Sequence, residues 1–434
     1  MTELTHRRVL AIALPIVLSN ATVPLLGLVD TGVVGQLGRA APIGAVGVGS
    51  VVLASIYWVF GFLRMGTSGM VAQARGAGDA PETGAILTRA LMIGAAAGLG
   101  AILLQGPLFW AAFRLAPATA EVERLAQSYL AIRIWGAPAT ISLYAVTGWL
   151  IAMERTRGVL LLQLWMNLLN IALDLFFVLG LGWGVRGVAT ATLCAEWSGL
   201  LLGLWLCRAA FGGAQWHDWA RVFDAARLKR MLQVNADIMI RTVLLQGAFT
   251  AFTFLGAGFG DRVLAANQVL LQFLEVTAFA LDGFAFAAET LVGQAMGAGQ
   301  RARLRQAAVM TAQWGAGGAL ALAAGFALAG PAIIAVMAKD AGVQETARAF
   351  LPWVVAAPVV GVASWMFDGI FIGATATRAM RNAMALSVAV YGLALVLLLP
   401  TWQNTGLWAA LMVLNATRGL SMAAHYPALE RRAG

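Results

Sequence analysis

Residues Val71–Asp79 read VAQARGAGD, and residues Val292–Gln300 read VGQAMGAGQ. Six of the nine positions are identical, at an offset of 221 residues. WGAPATISLYAVTGWL from Trp135 and VVAAPVVGVASWMFDG from Val354 align Ala137–Pro138 with Ala357–Pro358 at an offset of 220. Two separate matches with nearly one offset make an internal duplication, which is read before anything else. The motif's composition also suits a helix end, where small residues pack and Gly supplies a left-handed cap. On that reading it marks the repeat without touching a ligand.

The duplicated unit is membranous. Of 434 residues, 60% are hydrophobic and 11% are charged, with a mean hydropathy of +0.80. Soluble domains carry about 25% charged residues. A span needs about 20 apolar residues, and the pattern predicts twelve, at about 9–34, 43–70, 88–113, 127–153, 158–182, 187–210, 233–257, 264–292, 306–338, 348–373, 380–401 and 406–428. The expected fold is therefore an all-α integral membrane protein. Its lobes are 1–210 (spans one to six) and 233–434 (spans seven to twelve), joined by a polar cytoplasmic linker, 211–232. Both copies of VxQAxGAG follow an even-numbered span, so they lie on the same side. That makes a parallel 6+6 repeat about a pseudo-twofold along the membrane normal. Such halves commonly enclose a midplane cavity that opens to each side in turn, and this points to a transporter.

The formal net charge of +9 lies in loops, so it reads as orientation rather than as a nucleic-acid footprint. The termini and the loops after even-numbered spans hold about 18 of the Lys and Arg residues, against about 7 after odd-numbered spans. Both termini and the linker are thus expected in the cytoplasm, with the chain multi-pass in the cell inner (cytoplasmic) membrane. The N-terminal MTELTHRRVL resembles the start of a signal peptide, but the apolar run after it is too long and lacks an A-x-A site. Cys194 and Cys207 lie on one predicted helix, about 20 Å apart, too far for a disulfide.

Inside the first span, GLVDTGVVG (Gly27–Gly35) carries Asp30, and no Lys or Arg lies between Arg8 and Arg39. A charge at mid-bilayer costs about 2.5–3.5 kcal/mol on insertion scales. Such an acid faces a cavity, pairs with a base or is protonated. Desolvation favours its neutral form, so Asp30 suits proton uptake and release, with Pro15 and Pro24 permitting a bend below it. The alternative is an Asp bonded to backbone that those prolines free.

Span five carries NLLNIALD, in which Asn167, Asn170 and Asp174 share one face. Thr192 lies close to five helical turns beyond Asp174, in span six. Adding 221 to Asn170 and Asp174 gives Tyr391 and Leu395, so this chemistry belongs to the first half alone. Packing by Asn and Asp is the competing reading.

The second half differs. Asp237 and Arg241 stand at i and i+4, where a helical ion pair forms, although either also has partners open elsewhere. Glu275, Asp282 and Asp368 are candidate cavity acids, while Glu196 and Glu289 are weaker ones. Arg64 is a candidate partner for one of them. Tyr57, Trp58, Met65, Phe279, Phe284, Phe286 and Met310 are candidate substrate-lining residues, since π faces and Met suit varied hydrophobic cations. For each of these, packing against helices or lipid is the plainer reading.

The chain resembles the multidrug and toxic compound extrusion (MATE) transporters over essentially its whole length. It is most similar to their DNA-damage-inducible protein F (DinF) branch. The segments that carry the likeness are LPIVLSNATVPLLGLVDTGVVGQLG, LVGQAMGAGQ, NADIMIRT and FDGIFIGATATRAMRNAM. The resemblance implies two six-helix bundles that rock against each other, and antiport of cationic or amphipathic drugs against H⁺ or Na⁺. It also implies that Asp30 is the protonation site, whose protonation bends span one. Asn170, Asp174 and Thr192 look like the N-lobe cation and proton site, with Na⁺ possible at Asp30, Asn170, Asp174 and Thr192. Other branches use acids of spans seven, eight and ten, but none is carried over here.

The expected partners are hydrophobic or cationic small molecules and membrane lipid, with no nucleic acid, and the chain is expected to be monomeric. No cofactor is expected, only a coupling ion, H⁺ or Na⁺. An enzyme is not expected, because HExxH, Walker A and GxSxG are all absent. Lipid export on the same fold is the alternative. It calls for a basic cavity, whereas eight span acids against Arg64, Arg133, Arg241 and Arg418 make this one read as acidic.

Overall fold

A computed structural model describes residues 3–36, 38–115, 119–212 and 214–434. Gly213 of the expected linker lies outside them. No strand occurs among the described residues. The long helices are α1 (His6–Gly35), α2 (Ala40–Gly76), α3 (Ala80–Leu103), α4 (Ala120–Ala152), α5 (Thr156–Gly180) and α6 (Gly184–Leu206). They continue with α7 (Ala225–Ala257), α8 (Asp261–Gly297), α9 (Arg301–Met337) and α10 (Ala341–Gly373). The last stretch, Thr377–Arg431, is interrupted at Gln403, where φ is 47° and ψ is −125°. It makes two helices, α11 (377–402) and α12 (404–431). At Gly406 a Cβ would lie 2.5 Å from the Leu398 carbonyl oxygen, so only Gly lets the chain fold back so sharply. Twelve long helices result among the described residues.

The third span departs from expectation. It begins at Ala80 rather than near 88, and it stops at Leu103. Asp79 caps it by accepting from the Glu82 backbone N–H at 3.2 Å, and Pro81 stands in the first turn. Hydropathy placed Glu82 and Arg89 outside the span or at its edge. Instead they pair at 2.8 Å, and the Arg89 side chain is buried. A separate short helix, Gln105–Leu115, follows.

The repeat shows in the backbone. Gly78 and Gly299, 221 residues apart, have φ of +75° and +64°. Glu154 and Thr375, at the same spacing, have φ of +58° and +48°. The motif therefore does end a helix at a left-handed cap in both copies.

The chain forms two compact units. One comprises Leu18–Val71 and Asp79–Arg230. Its core is Tyr129, Leu130, Ile134 and Trp149, and α3 meets α4 through glycine. A Cβ at Gly98 would lie 2.3 Å from Pro138, and one at Gly94 3.0 Å from Ser142. The segment after α6 docks on the start of α3. Arg89 donates to the carbonyls of Val222 at 2.8 Å and Arg221 at 2.7 Å, Arg221 reaches Asp79 at 3.0 Å, and Arg227 reaches Glu82.

The other unit comprises Met1–Val17, Ala72–Gly78 and Met231–Gly434. Its core includes Phe252, Leu270, Phe273, Phe326, Leu351 and Trp408. Phe252 meets Trp408 edge-on at 5.0 Å, and Phe273 meets Phe326 edge-on at 5.1 Å. Asn267 pairs its amide with that of Asn404 at 2.8 and 3.1 Å and accepts from the Trp408 indole at 3.0 Å. These bonds hold the Gln403 reversal in place.

Candidate functional site: a buried Asp30–Asn170–Asp174 cluster

Asp30 sits in the last third of α1, and Asn170 and Asp174 sit one turn apart near the end of α5. All three are buried, Asn170 and Asp174 completely so. The Asn170 amide decides the geometry. With its nitrogen toward the acids, it donates to Asp30 Oδ1 at 3.0 Å and to Asp174 Oδ2 at 3.2 Å, and its oxygen accepts from Thr192 Oγ1 at 3.0 Å. The opposite orientation would aim the amide oxygen at acceptors only. The Asp30 and Asp174 carboxyls thus face the same amide. Thr192 is one turn above the Val188 carbonyl, which lies 3.0 Å from its hydroxyl.

The backbone is adapted to this cluster. Directly after Asp174, residues Leu175–Gly180 widen into a π-helix, a form found often at functional sites. Gly187 of α6 packs there, where a Cβ would lie 3.0 Å from Val178. One turn before Asn170, Asn167 donates to the Thr22 carbonyl of α1 at 3.2 Å and accepts from Gln163 at 3.0 Å. Thus Asn167, not Asp30, bonds to the α1 backbone between the two prolines. Gln163 and Thr22 were missed in the sequence. Gln163 is four residues before Asn167, a helical spacing that would have marked it.

In the same unit, Arg133 of α4 holds Glu196 of α6 through two bonds, of 2.6 and 2.9 Å. Gly136 makes room, since a Cβ there would lie 2.2 Å from the Glu196 carboxylate. Tyr57 is buried and donates to the Arg133 carbonyl at 3.4 Å. Trp58 is exposed, and Met65 is half-buried.

In the other unit the expected Asp237–Arg241 pair does not form. The shared face of α7 is turned toward neighbouring helices, and each residue finds an opposite charge there. Asp237 takes Arg381 at 2.6 Å and Thr377 at 3.1 Å, both from α11. Arg241 pairs with Asp368 of α10, and Arg418 of α12 reaches the same carboxylate oxygen. Glu275 lies exposed on α8, Asp282 is half-buried and Glu289 is fully buried. Phe279 and Phe286 are half-buried, and Met310 is buried. Phe284 packs over Gly318 of α9, where a Cβ would lie 3.2 Å from its ring. The acidic excess read from the sequence is corrected accordingly. Glu196, Asp237 and Asp368 are each neutralised by arginine, and Arg381 had not been counted.

No group of three or more His, Cys, Asp or Glu suited to a metal occurs among the described residues. A cation at the Asp30 cluster would instead draw on two carboxylates, the Asn170 amide oxygen and Thr192. That set requires the amide to turn its oxygen inward.

A family model described as MatE matches this chain twice, over residues 15–176 and 238–398. DNA damage-inducible protein F of Escherichia coli is 39% identical over 426 residues, 95% of this chain and 90% of that protein's length. A probable multidrug resistance protein NorM of Synechocystis is 28% identical over 70% of this chain and 67% of its own length. Among solved structures, the Vibrio cholerae MATE transporter VcmN in the bent form superposes with a TM-score of 0.87 at 20% identity, covering 99% of this chain and 97% of that one.

Proposed function

This chain belongs to the MatE family, and on that premise we propose that it exports hydrophobic or cationic small molecules by alternating access in exchange for H⁺. The family consists of transporters, not enzymes. Its NorM relatives are named as probable multidrug resistance proteins. The observation that carries the coupling proposal is the convergence of Asp30 and Asp174 on one amide. Two buried carboxyls gathered at one group are an arrangement that holds a proton, since both charges together repel. Losing that proton sets two like charges side by side on α1 and α5, and this repulsion is available to move α1.

H⁺ is favoured over Na⁺ by the nitrogen-inward orientation of the Asn170 amide, which sets a donor rather than a ligand oxygen against both carboxylates. A Na⁺ site needs oxygens from all four residues and so needs that amide reversed. On this reading the lobes 1–210 and 233–434 are the moving bodies, joined by the linker 211–232. The chain acts as a monomer in the cell inner membrane with both termini cytoplasmic, an orientation supported by the Lys and Arg distribution.

The test uses proteoliposomes loaded with a fluorescent cationic dye. A pH gradient is expected to drive efflux in wild type, and a Na⁺ gradient alone is not. Driving by Na⁺ alone would move the assignment to the cation set.

Lipid export is the second reading. It gains from one observation, that arginines neutralise Glu196, Asp237 and Asp368, and the addition of Arg381 narrows the span charges from eight acids against four arginines to eight against five. Transfer of a labelled anionic lipid in the same vesicles, in the absence of dye efflux, would select it.

A further inference from the structure

The duplicated VxQAxGAG motif has no part in the proton site, yet it makes a close backbone contact between the two repeats. At the end of α2, a Cβ on Gly76 would lie 2.0 Å from the Gln294 carbonyl oxygen. At the end of α8, a Cβ on Gly297 would lie 2.0 Å from the Gln73 carbonyl oxygen. Gln73 and Gln294 are equivalent positions of the two copies, as are Gly76 and Gly297. The contact is therefore reciprocal, as a contact across a twofold axis must be. A third glycine extends it, since a Cβ on Gly293 would lie 2.6 Å from the Ala72 Cβ.

Side chains fasten the same end. Gln73 donates to the Gly373 carbonyl and the Thr375 hydroxyl at the end of α10, both at 3.0 Å. Arg8, in the first turn of α1, donates to Gln294 Oε1 at 2.9 Å. From the first half, Met1–Val17 and Ala72–Gly78 cluster with Met231–Gly434. These are the segments that carry Arg8 and the first motif.

We propose that the paired VxQAxGAG segments are the inner gate of the transport cycle, closed in this structure by the Gly76–Gln294 and Gly297–Gln73 dovetail. The proposal rests on the alternating-access reading above. Three features separate a gate from static packing. The contact joins the two repeats, whereas Gly94 and Gly98 join helices of one repeat. It is held by glycine backbone apposition and by bonds to Gln side chains, with no ion pair between the two motif copies among the described residues. Each helix ends directly after it, at Gly78 or Gly299, so the ends part without unwinding. In the orientation that the Lys and Arg distribution supports, this end faces the cytoplasm and opens for loading from inside.

The test bridges Gln73→Cys to Thr375→Cys, in a background with Cys194→Ser and Cys207→Ser, using a short reducible thiol cross-linker in dye-loaded proteoliposomes. The bridge is expected to lower efflux about tenfold while dye binding persists, with recovery on reduction and little effect of the reagent on either single cysteine. A second measurement reads Gln294→Cys with a membrane-impermeant maleimide. Adding Gly297→Ala, which keeps the ends from closing, is expected to raise labelling several-fold from the motif side. A bridged protein that still pumps at the unbridged rate overturns the gate and leaves the transport reading standing, as does labelling unchanged by Gly297→Ala. A wild type that moves dye under neither gradient overturns the transport reading, and the gate with it.

Discussion

Asp30 and Asp174 stand on two different helices, α1 and α5, yet share one amide, that of Asn170, whose nitrogen, turned toward them, lies 3.0 Å from the first and 3.2 Å from the second. Neither carboxylate is in a salt bridge with Lys, Arg or His among the described residues. Arg133, the arginine α4 places in this unit's interior, is engaged by Glu196. The unit thus commits its buried Arg133 to Glu196 rather than to its buried acid pair. The other unit does the reverse and places arginines on Asp237 and Asp368.

Asp30→Asn is expected to retain dye binding and to lose pH-driven efflux by at least about tenfold, because it removes one of the two groups that exchange the proton. Asp174→Asn should do the same. The double variant should be no worse than either single one, since the two residues act as one unit. Rates under a fixed pH gradient measure this. Additive losses would mean that the carboxyls work separately.

Asn170→Ala removes the shared donor and leaves Thr192 without its side-chain partner. The expected loss of stability is about 1–3 kcal/mol, the usual penalty for orphaning a buried polar group. Asn170→Asp has a different signature. A third carboxylate beside Asp30 and Asp174 makes an oxygen-rich site, so thermal stability should become dependent on Na⁺, whereas in wild type it should not. Melting in detergent with NaCl against choline chloride decides it.

Much of this was legible in the chain. Hydropathy and the two offsets gave twelve spans and the duplication, because membrane helices must satisfy their backbone internally and must be apolar enough to insert. The Asn170–Asp174 face follows from helical spacing, and Thr192 from its register. Other features depend on tertiary neighbours. That Asp237 would choose Arg381 over Arg241 follows from how α7 turns against α10, α11 and α12, which spacing along one helix does not encode. The early start of α3 was hidden because Glu82 reads as a loop charge and Arg89 as a charge at the span's edge, though they neutralise each other. The reversal at Gln403 falls in a run whose composition is helical on both sides.

Asp368 accepts from two buried guanidiniums, and that asymmetry ranks its variants. Asp368→Asn leaves Arg241 and Arg418 facing each other without their shared acid and should cost about 3–5 kcal/mol, the range for breaking a buried pair. Arg418→Met leaves Asp368 with Arg241 and should cost clearly less. Melting temperatures of the two purified variants give the order. The reverse order would show that Arg418 is held chiefly by other groups.

Arg89 anchors the segment that links the halves. Its guanidinium donates to the Val222 and Arg221 carbonyls and to Glu82 from a buried position in α3. Arg89→Ala leaves the Glu82 carboxylate with the partly exposed Arg221 and Arg227 only and frees both carbonyls. The expected result is local release of residues 218–224 rather than global unfolding, because α3 keeps its glycine contacts with α4. Limited proteolysis should then cut at Arg221 or Arg227 several times faster than in wild type, while the melting temperature falls by only a few degrees. Unchanged cleavage would mean that the Asp79–Arg221 and Glu82–Arg227 pairs suffice to hold the segment. The triple change Arg89→Ala, Arg221→Ala and Arg227→Ala should in that case release it.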